Sequence, residues 1–228
     1  MRAAAGLLGV TEKHVQHLGR QGEVIYLARG LLDGTSVRAL HAVRQGKHTR
    51  GWSGRTAWAA IALLSGQVAD WIGQGQASRL GSRLRDIDSA ALVAGTRNRA
   101  HVGRFAGQQT AAGRLAAEPG TVGRRALPGL VGQRQDAETD WYVDARDEDQ
   151  LVRTYGLHFD VRGNFVLRAV ETENHLDNDG LTLGLVATLM MKDDVLTALD
   201  SATSEDPRER GIATRALDDA LARFRSDG

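Results

Sequence analysis

The side chains best suited to recognise another molecule lie near the start of the chain, in the stretch AAAGLLGVTEKHVQHLGRQGEV at residues 3–24. Amide, carboxylate, imidazole and cationic groups there surround the apolar residues Val15 and Leu18, which have helical spacing. Gln can form two hydrogen bonds with adenine and Glu can accept one from cytosine, whereas Lys and Arg bind phosphates. The stretch therefore predicts a helix that contacts DNA with its polar face. The candidate base-reading residues are Thr11, Glu12, His14, Gln16 and His17, and the candidate phosphate-binding residues are Lys13, Arg20, Arg29 and Arg38.

The surrounding sequence predicts the elements that position these side chains. A first helix is predicted at residues 2–8, and Gly9 is predicted to end it because glycine accepts a positive φ. Thr11 is a favourable N-cap for a second helix that runs to about Gln21. Small residues at a helix crossing, a glycine turn and apolar residues that lock the pair are the requirements of a helix-turn-helix. The residues predicted to pack the two helices are Ala4, Ala5, Leu8, Val10, Val15 and Leu18.

A short β-ribbon, or wing, is predicted at residues 23–33. Residues 24–27 are strand formers, Ala28-Arg29-Gly30 is a plausible tight turn with Arg29 at its tip, and Leu31-Leu32 returns. Thr35 or Ser36 is predicted to cap a third helix that ends at Gly46. A wing beside a polar second helix favours DNA binding over the alternative of an ordinary helical hairpin in a core.

The stretch AAGLLGVTEKHVQHLGRQGEV…ARGLLDGTSV, roughly residues 2–45, resembles the winged helix-turn-helix domain of excisionase and MerR-type proteins. In that family the pattern xAAxLLGVSxxxVxxLxxxGxL is followed by a short wing and then SVxxL. The resemblance implies that helix 11–21 enters the major groove, with the wing at the flanking backbone or minor groove. His14 and His17 depart from the family, where Arg is commoner. Because one module of this size binds DNA weakly, we expect a homodimer or a repeated operator.

The composition excludes several other classes of protein. With 228 residues, 42% hydrophobic and 25% charged, the chain is long enough to bury a sizeable core. It has no cysteine, which excludes a disulfide scaffold, a thiolate-bound zinc and a cysteine nucleophile. A membrane-spanning helix needs about 20 predominantly apolar residues, and no stretch approaches that length. We therefore expect a cytoplasmic protein with no membrane span and no signal peptide.

Charge divides the chain into a basic and an acidic part. Residues 1–135 contain 19 Lys and Arg against 7 Asp and Glu, a net charge of +12, whereas residues 136–228 contain 10 against 21, a net charge of −11. This division predicts that the basic part contacts nucleic acid and that the acidic part does not. The alternative is that an Arg-rich and Ala-rich sequence simply carries many solvated arginines. Arg44, Lys47, Arg50 and Arg55 are candidates to extend the basic surface.

The predicted fold class is mainly α with small β elements (α+β), in three parts. Residues 1–50 form the winged helix-turn-helix, residues 51–135 a basic helical region, and residues 136–228 an acidic α+β domain that binds a partner. In the second part Ser53 caps a helix, and arginine-rich helices follow at 76–86, 89–102 and 108–117. Its predicted core residues are Trp58, Ile61, Ala62, Leu64 and Trp71.

The third part combines strands and helices. TDWYVD predicts a strand, and LHFDVRGNFVLRAV predicts a hairpin around Arg162-Gly163. Helices are predicted at 147–155, 193–202 and 207–224, the last with Pro207 in its first turn. LTLGLVATLMM is either a strand or a buried helix, because periodicity alone does not distinguish them.

Segments beyond the first domain resemble a narrower group. TAWAAIALLSG, SRLGSRLRD, GNFVLRAV and ALDSATSEDPRERGIATRALDDAL are similar to the bodies of actinobacterial helix-turn-helix proteins paired with AbiE-type nucleotidyltransferase toxins. The resemblance implies an antitoxin that binds double-stranded operator DNA, represses its own operon and neutralises a cognate toxin protein. The alternative is a DNA-binding transcriptional regulator, or an excisionase-like accessory protein of recombination, whose C-terminal part dimerises or binds a ligand.

Residue patterns for catalysis are weak. The loop ETENHLDNDG is rich in carboxylates, but a calcium loop needs a longer ligand series with a closing Glu, and a two-metal site needs carboxylates from rigid elements. His14 and His17 have no evident third metal ligand. No phosphate loop, nucleophile elbow or kinase motif is found. We therefore predict no catalytic residues, no metal and no cofactor, with an uncharacterised C-terminal enzyme as the weaker alternative.

Overall fold

The computed structural model describes residues 1–20, 24, 26–28, 30–44, 51–128, 139–160, 162–173, 180–204 and 206–227. Within these residues the fold is α+β, as predicted, with eleven α-helices, a two-stranded ribbon and a five-stranded sheet. None of the described helices combines the length and the apolar character that crossing a membrane requires.

The N-terminal elements occur in the predicted order. They are α1 (Arg2–Leu8), α2 (Glu12–Arg20), β1 (Tyr26–Ala28), β2 (Leu31–Leu32) and α3 (Gly34–Arg44). Gly9 ends α1 with a φ of 63°, and the Val10 N–H donates to the Ala5 carbonyl at 3.0 Å. This left-handed turn lets α2 leave at an angle to α1, as the glycine predicted. The small core of this unit consists of Ala4, Ala5, Leu8, Val15, Leu18, Val24, Val37 and Leu40.

Two details of this unit differ from the prediction. The first wing strand begins at Tyr26 rather than at Val24. Val24 lies in a bend, and its buried side chain belongs to the small core. Asp33, not Thr35 or Ser36, caps α3, because its Oδ2 accepts the Ser36 N–H at 2.7 Å. The predicted ends at Gln21 and Gly46, and the wing tip at Arg29, lie outside the described residues.

The remaining helices pack on two further hydrophobic cores, of which the larger contains Trp58, Tyr142 and Leu196 and the other contains Phe105, Leu115 and Phe165. They are α4 (Gly54–Leu64), α5 (Gln74–Asp86), α6 (Ser89–Thr96), α7 (Thr110–Ala116), α8 (Glu148–Thr154), α9 (Leu183–Lys192), α10 (Val195–Ser201) and α11 (Pro207–Ser226). Ser53 caps α4 and Pro207 opens α11, as predicted. The five predicted core residues from Trp58 to Trp71 are all buried. The ambiguous segment LTLGLVATLMM contains a helix, α9.

The main sheet has the order β4-β5-β7-β3-β6. Its strands are β3 (His101–Ala106), β4 (Thr121–Gly123), β5 (Thr139–Asp144), β6 (His158–Phe159) and β7 (Phe165–Val170). β5 and β7 are parallel, with Thr139 opposite Phe165 and Asp144 opposite Val170, and the other neighbouring pairs are antiparallel. β7 is buried along its whole length because it is the central strand.

The position of β3 corrects two predictions. The predicted helix at 89–102 ends at Thr96, and a 3-10 turn at Arg97–Arg99 leads into β3. The predicted hairpin is also wrong, because β3 lies between β6 and β7 and pairs with both. Gly163 lies directly against the backbone of Phe105, where no Cβ would fit, so the chain passes β3 closely on its way from β6 to β7.

The second and third predicted parts share one sheet, and both of these cores contain residues from each part. β3 and β4 come from residues 51–135, whereas β5, β6 and β7 come from residues 136–228. Trp58 of α4 also packs edge-on against Tyr142 of β5, with ring centroids 5.8 Å apart. A division at residue 135 therefore does not separate two cores, because neighbouring strands lie on either side of it.

Candidate nucleic-acid interface

α2 presents its predicted polar residues to solvent. Val15 and Leu18 are 0% and 1% exposed, so the apolar face of the helix is fully engaged with the small core. A helix divided in this way has one face free for an external partner. The exposed side chains are those of Thr11, Glu12, Lys13, His14, Gln16 and His17.

The N-terminal turn of α2 is held in place by its own side chains. Thr11 Oγ1 accepts the His14 N–H at 3.2 Å, which satisfies one of the free amides at the helix start. Glu12 lies in the first turn, where a carboxylate is favoured by the helix dipole. The rings of His14 and His17 are neighbours on the exposed face, with centroids 6.1 Å apart and ring planes tilted by 40°.

The wing packs against the C-terminal half of α2. The Tyr26 ring of β1 lies on Gly19, and a Cβ at that position would overlap the ring. The Val24 N–H donates to the Leu18 carbonyl at 3.4 Å, which ties the start of the ribbon to the helix. Gly19 and Tyr26 therefore set the distance between α2 and the wing, a role that the sequence did not indicate. A lone glycine inside a helical pattern is the signal that could have found this contact.

The predicted phosphate-binding residues are distributed unevenly. Lys13 is exposed on α2, and Arg38 is exposed on α3 one turn from Gly34. Arg20 and Arg44 are the last residues of α2 and α3, and their side chains lie outside what the structure describes. Arg29, Lys47 and Arg50 also lie outside the described residues.

Arg55 does not extend this surface in the predicted way. Its side chain is 51% exposed, but it forms an ion pair with Glu173 and donates to the Trp71 carbonyl, so a carboxylate already compensates its charge. Among the described residues no group of three or more His, Asp or Glu side chains is arranged to hold a metal ion. Residues 174–179 of the acidic loop fall outside that description.

A second polar cluster lies inside the larger core, which we call the buried charge cluster. Its members are Arg99, Arg124, Asp140, Arg168, Asp200 and Glu209. Arg168 binds Asp140 with two parallel hydrogen bonds of 2.7 and 2.8 Å. Asp200 Oδ1 accepts hydrogen bonds from Arg99 at 2.5 Å and from the Tyr142 hydroxyl at 2.7 Å. The carboxylate of Asp200 is therefore the centre of the cluster.

Electrostatics favour permanent ionisation of this cluster. Burial raises the pKa of Asp200, but attraction by Arg168, Arg99 and Arg124 outweighs burial, so the pKa lies below its usual value. Burial and the nearby Asp200 carboxylate raise the pKa of Tyr142, which stays protonated and donates. A general acid or base needs a pKa near the working pH, so these groups are suited to holding elements together rather than to proton transfer.

The buried charge cluster also explains part of the charge division in the sequence. Arg99 and Arg124 belong to the basic part, and Asp140, Asp200 and Glu209 belong to the acidic part. Arg124 reaches Glu209 at 2.9 Å and also donates to Ser201. These opposite charges compensate each other inside the molecule, so they contribute nothing to an external surface. Isolated charges within apolar runs, such as Arg168 in NFVLRAV, are the signal that could have indicated them.

No protein family model matches this sequence, and neither a curated protein nor a solved structure is significantly similar to it. The features that bear on function are therefore the geometry of α2, the wing and α3, together with the resemblance of the local motifs.

Proposed function

We propose that the protein binds double-stranded DNA through residues 1–44, with α2 in the major groove. The observation that carries this proposal is the division of α2, whose apolar side is sealed against α1 and α3 while its polar side faces solvent. The major groove is about 12 Å wide and accepts one α-helix with its side chains. Gln16 and Glu12 carry the groups that pair with adenine and cytosine edges.

The wing and α3 support the same orientation. In helix-turn-helix proteins the recognition helix contacts bases, while neighbouring elements contact the backbone and set the register. β1 lies against the C-terminal half of α2 through the Gly19–Tyr26 contact, which supports an orientation with the ribbon beside the duplex. Arg38 provides an exposed cation on α3.

Separate substitutions at Lys13 and Gln16 test the groove assignment. Lys13→Gln is expected to weaken binding to all duplexes and to lower the slope of log K against log salt by about 0.9, because one phosphate contact is lost. Gln16→Ala is expected to reduce discrimination between the upstream region of the gene and a shuffled duplex by about 1–3 kcal/mol. Fluorescence anisotropy of labelled duplexes measures both quantities.

The matched control removes an arginine far from α2 in the sequence. Arg215 is exposed on α11, so Arg215→Gln removes the same charge as Lys13→Gln without touching α2. Its affinity and its salt slope should equal those of the wild type. If Lys13→Gln also leaves both values unchanged, α2 does not lie in the groove.

The full proposal is an antitoxin that represses its own operon and neutralises a cognate nucleotidyltransferase-type toxin. The similarity of residues in α4, α5, β7 and α11 to toxin-paired proteins supports this part. The shared sheet determines which form of the protein can be used to test the antitoxin role. Deleting residues 136–228 would remove β5 and β7, which pair with β4 and β3, so the full chain is the appropriate material.

Co-expression with the adjacent gene of the same operon tests the antitoxin role. The full-length protein is expected to relieve growth arrest by that gene product and to co-purify with it. The Lys13→Gln variant is the control, since it should lose DNA affinity and keep the rescue. A non-toxic neighbour and no complex would contradict the antitoxin role, and an adjacent integrase gene would favour an accessory protein of recombination.

A further inference from the structure

We propose that Arg79 and Arg83 of α5 form a second phosphate-contacting surface, which extends the DNA footprint beyond the winged helix-turn-helix. This inference rests on the proposed function, because it adds a contact to the same duplex that α2 enters. The partner is the sugar-phosphate backbone that flanks the site, recognised by charge and not by sequence.

The geometry of α5 places the two arginines on the same face of the helix. Residues four apart on a helix lie on the same face, with Cβ atoms about 5–6 Å apart. Both arginines are exposed, whereas Leu80 and Leu84 on the opposite side are 5% and 0% exposed. The core therefore orients α5 so that the arginine pair points outward.

The electrostatic environment of the pair suits a polyanion. α5 contains three arginines and a single acidic residue, Asp86, and polar Ser78 and Ser82 lie on its exposed side. Within the described part of the chain, neither Arg79 nor Arg83 forms an ion pair with a carboxylate, in contrast to Arg99 and Arg124 of the buried charge cluster. Arginine binds phosphate oxygens through a planar fork of donors, and serine hydroxyls commonly assist.

The pair also lies at the end of the body that carries the DNA-binding unit. Arg83 stacks over the Trp52 ring at 5.1 Å from its centroid, and only Gly51 separates Trp52 from the basic segment at residues 45–50. The Trp52 ring lies on Gly95 of α6, where an added Cβ would approach Cε2 to 2.7 Å. α6 is also the helix that α3 contacts. The stacking on Trp52 fixes the direction of Arg83 toward this junction.

The salt dependence of binding by the full-length double variant R79Q/R83Q tests the inference. The probe is a labelled mixed-sequence duplex of about 40 base pairs, titrated between about 50 and 200 mM salt. The double variant is expected to lose about 1.8 units of slope, or about 0.9 per phosphate contact. Between about 50 and 200 mM salt, the ratio of the wild-type association constant to that of the double variant should fall by about tenfold.

Two control variants test whether the effect depends on where the charge is removed and on whether the positive charge itself is lost. The variant R153Q/R215Q removes the same net charge from exposed positions on α8 and α11 and should keep the wild-type slope. The variant R79K/R83K keeps both charges and should retain most of the slope, although Lys cannot reproduce the fork. Thermal unfolding of each variant shows whether loss of the Trp52 stacking has altered the fold.

The outcomes distinguish this inference from the proposed function. If Lys13→Gln lowers the slope and R79Q/R83Q does not, the footprint ends at the winged helix-turn-helix and the inference is wrong. If R153Q/R215Q lowers the slope as much as R79Q/R83Q, only net charge matters and the inference is again wrong. If the wild type does not bind the duplex, both the inference and the proposed function fail.

Discussion

Asp200→Asn is expected to lower the free energy of unfolding by about 3–5 kcal/mol, the cost of removing one member of a buried ion pair. The carboxylate accepts hydrogen bonds from Arg99 and Tyr142, and its Oδ1 lies 3.2 Å from Arg168. After the substitution the buried charge cluster holds three arginines against two carboxylates, so one positive charge is uncompensated. Because folded domains are stable by only about 5–15 kcal/mol, this loss is a large fraction of the total.

The pH dependence of the same variant provides an internal check. The pKa of Asp200 is lower in the folded protein than the value of about 3.9 in an unfolded chain. Its stabilising contribution is therefore complete above about pH 5 and is lost as the pH falls through the folded-state value. The difference in unfolding free energy between the wild type and Asp200→Asn should shrink on acidification below about pH 4, because the wild-type carboxylate then also becomes neutral.

Urea denaturation followed by tryptophan fluorescence measures these free energies, and the chain contains four tryptophans. Asp219→Asn is the matched control, since Asp219 is exposed on α11 and its loss should change the free energy by less than about 0.5 kcal/mol. If Asp200→Asn and Asp219→Asn are equally stable at neutral pH, the buried charge cluster does not hold the sheet against α10 and α11.

The features that could be predicted from the sequence depend on neighbours along the chain. A glycine that accepts a positive φ, a threonine that caps its own helix and apolar residues three or four apart specify α1, the turn and α2 within about 20 residues. The same local rules correctly predicted Ser53 and Pro207 at the starts of α4 and α11. The exposed residues of the candidate site could also be predicted. Once Val15 and Leu18 are assigned to the core, the polar residues between and around them must face solvent.

The features that could not be predicted depend on partners far away in the sequence. β6 and β7 look like a hairpin because they alternate around Arg162-Gly163, but the strand between them comes from residues 101–106. Strand pairing of this kind leaves no local trace, since any strand of suitable length and polarity can occupy the position. Arg99 and Asp200 are 101 residues apart, so nothing beside either one indicates that it is paired. The charge division of the sequence was visible, but its internal compensation was not.

Leu18→Ala is expected to abolish DNA binding by unfolding the N-terminal unit alone. Leu18 is 1% exposed, and truncating a buried leucine costs about 2–5 kcal/mol. The small core contains eight of the described residues, whereas the largest cluster of the body contains 28. A unit with so small a core has a low free energy of unfolding. We therefore expect α1, α2 and α3 to unfold while α4 and the sheet remain folded.

Hydrogen–deuterium exchange resolves this difference between the two cores. In Leu18→Ala, peptides from residues 1–44 are expected to lose protection, and peptides from α4, β5 and β7 should keep it. Leu7→Ala is the control, because Leu7 is 42% exposed on α1 and its truncation should leave both exchange and DNA affinity near the wild type. Equal loss of protection in both sets of peptides would instead show that the contact between α3 and α6 couples them into one cooperative unit, and α2 would then be presented by the whole protein rather than by a separable head.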